Sequence, residues 1–211
     1  MLKVGLTGGL ACGKSFVANE LERQGAHVIH ADELGHEVLL PDGAAYDAVL
    51  KRFGTEILKA DGTIDRTRLA DIVFNDPASL ADLNAIVHPA VVAKQNELMA
   101  ESGKREAEAV AVVEAAILIE TGIYKDFDRI VLVTCDPSIQ RQRALERAGI
   151  RPEDVEARLR RQLPTAEKLK FADDVIDTSG TKEDTLRQTR ELYTRLRKLA
   201  ARQHSPESLP K

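Results

Sequence analysis

Apolar positions in this chain fall into short continuous runs separated by stretches of helical period. Leu2–Leu6 is such a run, ends in glycines, and predicts a first strand. Lys14–Gln24 reads as a helix with Val17, Ala18 and Leu21 on one face, stopped by Gly25. Val28 and Ile29 open a second short strand, and Asp32 follows where it can cap a helix. From about Leu34 to Gly103 no long strand is expected. Helical patterns occupy Ala44–Phe53, Arg66–Phe74, Ser79–Ile86 and Pro89–Ala100, with a tight turn at Asp61-Gly62 and Pro89 in the first turn of its own helix. Glu108–Val113 reads as a buried strand, and Arg129–Cys135, with Ile130, Val131, Leu132 and Val133 in succession, as a clearer one of the kind found in the centre of a parallel sheet. Ser138–Ala148 and Pro152–Leu163 are helical and rich in Arg, and Val175-Ile176 is a last short strand. Thr181–Arg202 is an amphipathic helix with Leu186, Leu192, Leu196 and Leu199 available to pack, and His204–Lys211 has no pattern.

Strands alternating with helices predict an α/β fold, a parallel sheet covered on both faces. Composition adds that the core is aliphatic. Among 211 residues 43% are hydrophobic, but aromatics are only 4% and Trp is absent. The net charge of -4 argues against a protein that coats nucleic acid, while leaving room for a local basic pocket. Two cysteines are too few for a disulfide scaffold. No apolar run reaches the roughly 18–20 residues that span a bilayer, and Met1–Gly5 leads into strand without a signal-peptide core. A cytoplasmic protein with reduced thiols, without a membrane or nucleic-acid partner, is expected. Its oligomeric state is open, with a monomer slightly favoured.

One segment carries explicit chemistry. Gly8-Gly9-Leu10-Ala11-Cys12-Gly13-Lys14-Ser15 fits G-x-x-x-x-G-K-[ST] and lies between a predicted strand and a predicted helix. Glycines let the loop curl its N–H groups around a phosphate, and the helix adds the positive end of its dipole. Lys14 then reaches the β- and γ-phosphates, and the Ser15 hydroxyl coordinates Mg²⁺. The motif means a nucleoside triphosphate without specifying the reaction. The absence of any Asn-Lys-x-Asp tetrapeptide argues against a GTPase. Cys12, beside Lys14 and near a helix N-terminus, is expected to have a lowered pKa and to be open to alkylation that bound ATP blocks.

The distributed motifs resemble one family, the dephospho-coenzyme A kinases, nearly end to end from Val4 to about Gly180. The opening Gly5-Leu6-Thr7-Gly8-Gly9 and Gly13-Lys14-Ser15 resemble its first block. Val28-Ile29-His30-Ala31-Asp32 is similar to its V-I-D-A-D. Phe53-Gly54, Asp61-Gly62-Thr63-Ile64-Asp65-Arg66 and Leu83-Asn84-Ala85-Ile86-Val87-His88-Pro89 resemble its F-G, D-G-x-L-D-R and L-N-x-I-x-H-P blocks, and Ala172–Asp177 its A-D-x-V-I-x. The chain departs from the pattern at His30, at Ala116 in Ala116–Glu120 where the family has P-L-L-F-E, at Thr178 and at Cys12.

The resemblance implies a P-loop nucleoside-triphosphate hydrolase fold in a single kinase domain. The core would be about 1–33 and 108–137 with 172–203, a helical acceptor-binding insertion about 34–105, and a lid about 138–171. It implies transfer from Mg-ATP to the ribose 3′-hydroxyl of dephospho-CoA, giving CoA and ADP in the last step of CoA biosynthesis. A nucleoside or nucleoside-monophosphate kinase is the enzymatic alternative, and a nucleotide-binding module without turnover the non-enzymatic one. Asp32, at the carboxyl end of the second strand, reads from position alone as either a base for the acceptor hydroxyl or a helix cap. The resemblance assigns it as the base.

Glu114 ends the third strand, where it can hold Mg²⁺ through water. Arg143 and Arg147 share a helix face in the expected lid. Both suit developing phosphoryl charge, with Arg147 favoured by the resemblance. Arg158 and Arg161 are a weaker pair of the same kind. The expected ATP contacts are Gly9, Leu10, Ala11, Cys12, Gly13, Lys14, Ser15, Phe16, Arg143 and Thr178. The expected acceptor contacts are Thr7, Asp32, Arg66 and His88.

Overall fold

A computed structural model describes residues 1–146, 155–156, 159 and 162–203. The chain forms two compact units, one of Met1–Ile29 with Met99–Lys211 and the other of His30–Leu98.

The first unit is built on a five-stranded sheet in the order β2-β3-β1-β4-β5, with β1 Leu2–Gly8, β2 His27–His30, β3 Val110–Glu114, β4 Arg129–Thr134 and β5 Asp174–Asp177. β1 lies parallel between β3 and β4, with Leu6 level with Glu114 on one side and Val131 on the other. β5 pairs parallel with β4. This register brings the carboxyl ends of β1, β3 and β4 to one edge, where ligands bind in open parallel sheets. Helix α1, Lys14–Arg23, and the last helix, α8, Lys182–Gln203, pack on the face carrying Leu2, Val4 and Leu6. Val17 and Leu21 from α1 and Leu192, Leu196 and Ala200 from α8 complete a core without an aromatic ring among its fully buried members. α8 starts where Thr181 accepts the Asp184 N–H in its first turn.

The two helices are also tied by charge. Glu20 on α1 is buried and accepts from Arg190 Nε on α8 at 2.7 Å and from Gln24. The Arg190 guanidinium outweighs the opposing effect of burial and holds the Glu20 carboxyl below its ordinary value. Because the folded-state pKa is lowered, this contribution is present above about pH 4.5 and lost as pH falls below it. Arg190→Ala leaves Glu20 short of its charged partner. It is expected to cost about 1–3 kcal/mol and to weaken the acid dependence, as chemical denaturation at pH 7 and pH 4 will measure.

The second unit is helical. It holds α2 Ala31–Glu37, α3 Tyr46–Phe53, α4 Arg66–Asn75 and most of α5, Pro77–Arg105. Its core gathers Val38, Val49, Phe53, Ile57, Ile64, Leu69 and Val73. The Asp61-Gly62 turn forms as expected, with Gly62 at φ +80° and an isolated antiparallel bridge between Leu58 and Ile64.

Three local expectations are corrected. Pro89 does not begin a helix, because α5 runs for 29 residues straight through it. The ring removes one helical hydrogen bond. Yet Leu80, Leu83, Val87 and Ala90 form one apolar stripe across it, all packed on the same cluster, and that burial carries the helix through. The start of α5 lies instead at Asp76, whose carboxylate accepts the Ala78 and Ser79 N–H groups ahead of Pro77 at the first helical position. The short helix α7, Thr165–Leu169, is an element the sequence pattern does not announce. Asp32 does not cap α2. The cap position is His30, whose side chain makes no capping bond, and Asp32 lies in the first turn.

Candidate active site

The loop between β1 and α1 has the backbone its sequence requires. A side chain at Gly8 would collide with the Val133 carbonyl of β4, so only glycine lets β1 leave the sheet there. Gly13 is left-handed at φ +81° and caps α1 without a side chain, which leaves the dipole end of the helix open to an anion. Ala11 stands at φ +57°, the one non-glycine residue in that region among the described residues. The Cys12 N–H bonds to the Gly9 carbonyl, to which Lys14 Nζ also donates at 3.3 Å, so the lysine arches over the loop.

Two glutamines hold the loop from outside. Gln140 Nε2 donates to the Leu10 carbonyl at 2.9 Å, and Gln162 Oε1 accepts the Leu10 N–H at 2.9 Å. Gln140 lies on α6, Pro137–Leu145, which Asp136 caps by accepting the Ser138 N–H. Nothing in the sequence pattern marks either glutamine.

Exposed Ser15 donates from its hydroxyl to Glu114 Oε1 at 2.8 Å, and Glu114 is buried at the end of β3. A hydroxyl beside a carboxylate, at the end of a phosphate-binding loop, is a hard oxygen donor set. Mg²⁺ is commonly held by one or two such side chains with phosphate and water completing the shell. Among the described residues no group of three His, Cys, Asp or Glu side chains forms a complete metal cage.

On the other side of the loop Thr178, itself buried, sits at a junction. Its hydroxyl accepts from Arg143 Nη1 at 3.0 Å and lies 3.0 Å from the Cys12 carbonyl and 3.2 Å from that of Thr134. Arg143 Nη2 donates to the Thr178 carbonyl at 2.9 Å. Arg143, Thr178, Phe16, Gly13 and Gly180 share a cavity of about 200 Å³. Arg143 therefore borders this cavity, held on the β5–α8 connection. Arg147, Arg158 and Arg161 lie outside the described residues.

Thr7 is fully buried and its hydroxyl donates to the Ala116 carbonyl at 3.3 Å. In this arrangement the hydroxyl ties the end of β1 to the segment that follows β3. In the second unit, Asp32 and Arg66 are exposed in the first turns of α2 and α4. His88 is half-buried inside α5 rather than at a helix start.

Cys12 is not an open thiol. It is 2% exposed, and Cys135 Sγ donates to its sulfur at 3.2 Å. Burial first, then the neighbouring Cys12 thiol, pushes Cys135 from 9.0 up to about 12. Its raised pKa means the folded state favours the neutral thiol, a preference that holds fully below pH 9.0 and fades as pH rises toward about 12. Alkylation by iodoacetamide at pH 7.5 is expected to be slow at both positions, at Cys12 because it is buried and at Cys135 because its thiol stays neutral, and fast at both in urea. Mass-resolved rapid labelling of native Cys12 at pH 7.5 would contradict this.

The comparisons agree with this geometry. Residues 2–184 match the family described as dephospho-CoA kinase. The chain belongs to the dephospho-CoA kinase family. It is 45% identical over 193 residues to the dephospho-CoA kinase of Geobacter metallireducens, covering 92% of this chain and 96% of that one. The Aquifex aeolicus dephospho-CoA kinase is 39% identical, with 93% and 98% covered. The solved dephospho-CoA kinase from Campylobacter jejuni superposes with a TM-score of 0.71 at 26% identity, covering 93% of this chain and 97% of that one. The expected P-loop kinase fold, family and kinase class hold. No described helix is long and apolar enough to cross a membrane.

Proposed function

We propose that this protein transfers the γ-phosphoryl group of Mg-ATP to the ribose 3′-hydroxyl of dephospho-CoA, releasing CoA and ADP in the cytoplasm. The observation that carries the reading is family membership over nearly the whole chain, joined to an intact phosphate loop and the Ser15–Glu114 contact.

In this reading the curled loop from Gly9 to Ser15 and the α1 dipole bind the phosphates, and Lys14 balances charge on the β- and γ-phosphates. Ser15 and Glu114 hold Mg²⁺, which draws phosphate charge to itself when bound. The cavity beside Phe16, Arg143 and Thr178 suits the adenine end of ATP. Asp32 follows the carboxyl end of β2 by two residues and accepts the proton of the 3′-hydroxyl as its oxygen bonds to phosphorus and the bond to ADP breaks. The helical unit, with Arg66 and His88, serves as the acceptor lobe. Arg147 serves as a lid cation that meets charge developing in transfer.

A coupled ADP-release assay tests the reading with dephospho-CoA, nucleoside monophosphates, nucleosides and no acceptor in separate arms. Fast release with dephospho-CoA alone is expected. Faster release with a nucleoside or its monophosphate would reassign the acceptor, and equal release without acceptor would reduce the protein to an ATPase.

A further inference from the structure

Lys168 is the largest fully buried side chain among the described residues, at 1% exposure, although a lysine is almost never buried without a reason. It comes from the short helix α7. Its Nζ donates to Glu120 Oε1 at 2.7 Å and to the Ala116 carbonyl at 3.2 Å. Those acceptors stand at the two ends of one turn, the segment that leaves β3 directly after Glu114. The same segment is fastened twice more. Thr7 of β1 donates to the Ala116 carbonyl, and the Leu163 N–H donates to Glu120 Oε1. Ala115 N–H bonds to the Leu6 carbonyl at 3.0 Å, continuing the β1–β3 ladder to its last step. The ammonium and the Glu120 carboxylate thus form the charged centre of a knot joining the end of β1, the turn after β3 and the chain entering α7. It borders a cavity of about 630 Å³ that Gly9 and Gln140 also line.

Such a pair is a poor device for stability alone. Removing two charges from water costs much of what their attraction returns, and Glu120 Oε2 is buried without a hydrogen-bond partner among the described residues. What the arrangement does supply is geometry, because one nitrogen fixes a main-chain carbonyl two residues from Glu114.

We propose that Lys168 is a positioning residue for phosphoryl transfer, clamping the Ala116–Glu120 turn so that Glu114 is held against Ser15 on the Mg²⁺ side of the nucleotide. The inference rests on the reading that Ser15 and Glu114 hold the metal. Glu114, not Lys168, touches the metal shell, so loss of the clamp weakens metal use and turnover while phosphate binding by the loop persists.

The test uses two variants of the full chain, Lys168→Met/Glu120→Leu and Lys168→Gln. The double variant replaces the pair by apolar groups of similar size, a change buried ion pairs often tolerate. Thermal melting, ADP binding in EDTA, the Mg²⁺ midpoint of activation and kcat are measured for each. For the double variant the expected result is a melt and an EDTA-resistant ADP affinity close to the parent, a Mg²⁺ midpoint raised about fivefold, and kcat lowered about tenfold. These are the effects of a displaced supporting group. A folded variant of either kind with both Mg²⁺ midpoint and kcat within about twofold of the parent overturns the proposal. If neither variant melts cooperatively, the pair belongs to the fold alone and the proposal is overturned as well. Glu114→Gln separates the two levels. If it leaves the Mg²⁺ midpoint unchanged, the metal reading itself has failed. If it shifts the midpoint and the Lys168 variants do not, only the positioning role has failed.

Discussion

Lys14→Ala is expected to lower the rate of transfer by about 10²–10³-fold, the loss of roughly 2.7–4 kcal/mol that a preorganised charge supplies to a transition state. The lysine is half-buried and arches over the loop to the Gly9 carbonyl. On the proposed reading its ammonium stands over the space the phosphates enter. Truncation leaves the loop backbone and the α1 dipole in place, so the fold should persist and nucleotide binding should fall less than turnover. Steady-state ADP release with dephospho-CoA, beside a melting curve, checks both parts. A folded variant with more than about a tenth of parental turnover would remove Lys14 from the transition state, since one lost order of magnitude is only about 1.4 kcal/mol.

The second large effect belongs to Asp32. Asp32→Asn keeps the size of the side chain and removes its charge and its capacity to take a proton. Because His30 holds the cap position of α2 and Asp32 lies within the first turn, no capping bond is lost. The structural cost is limited to the helix dipole, about 0.3–1 kcal/mol at an exposed position. A base would show itself as a fall in transfer of roughly 10²-fold or more, with melting temperature and ATP affinity little changed. Glu33, also exposed in the first turn of α2, is the internal control, and Glu33→Gln should leave transfer near normal. Near-normal transfer by Asp32→Asn, or the large effect appearing at Glu33 instead, would move the base elsewhere.

The strands were legible because a strand buried on both faces has to be apolar without interruption, as Val110–Val113 and Ile130–Val133 are. The phosphate loop was legible for a different reason. Its chemistry comes from consecutive residues, so spacing alone encodes it. The helix break expected at Pro89 failed where a local rule met a tertiary one, since the stripe on both sides of the ring decides the matter. α7 was unreadable because five residues are too few to show a period. At the site, Ser15 was legible from the loop motif and Glu114 from its place at the end of a strand. Gln140, Gln162 and Lys168 were not, because each acts on a main-chain group more than 50 residues away. The burial of Cys12 was hidden for the same reason, its covering partner Cys135 coming from the far end of β4.

The left-handed Ala11 bears on how binding free energy is spent. An L-residue in that region costs about 1–2 kcal/mol against glycine's near zero. Against this, alanine gives the unfolded chain fewer conformations to lose, which offsets about 0.4–1 kcal/mol. The remainder is a small instability charged to folding. What it secures is a loop with fewer alternative shapes before any nucleotide arrives. The entropy of ordering those N–H groups is then met once, when the protein folds, and is not subtracted again from every encounter with ATP.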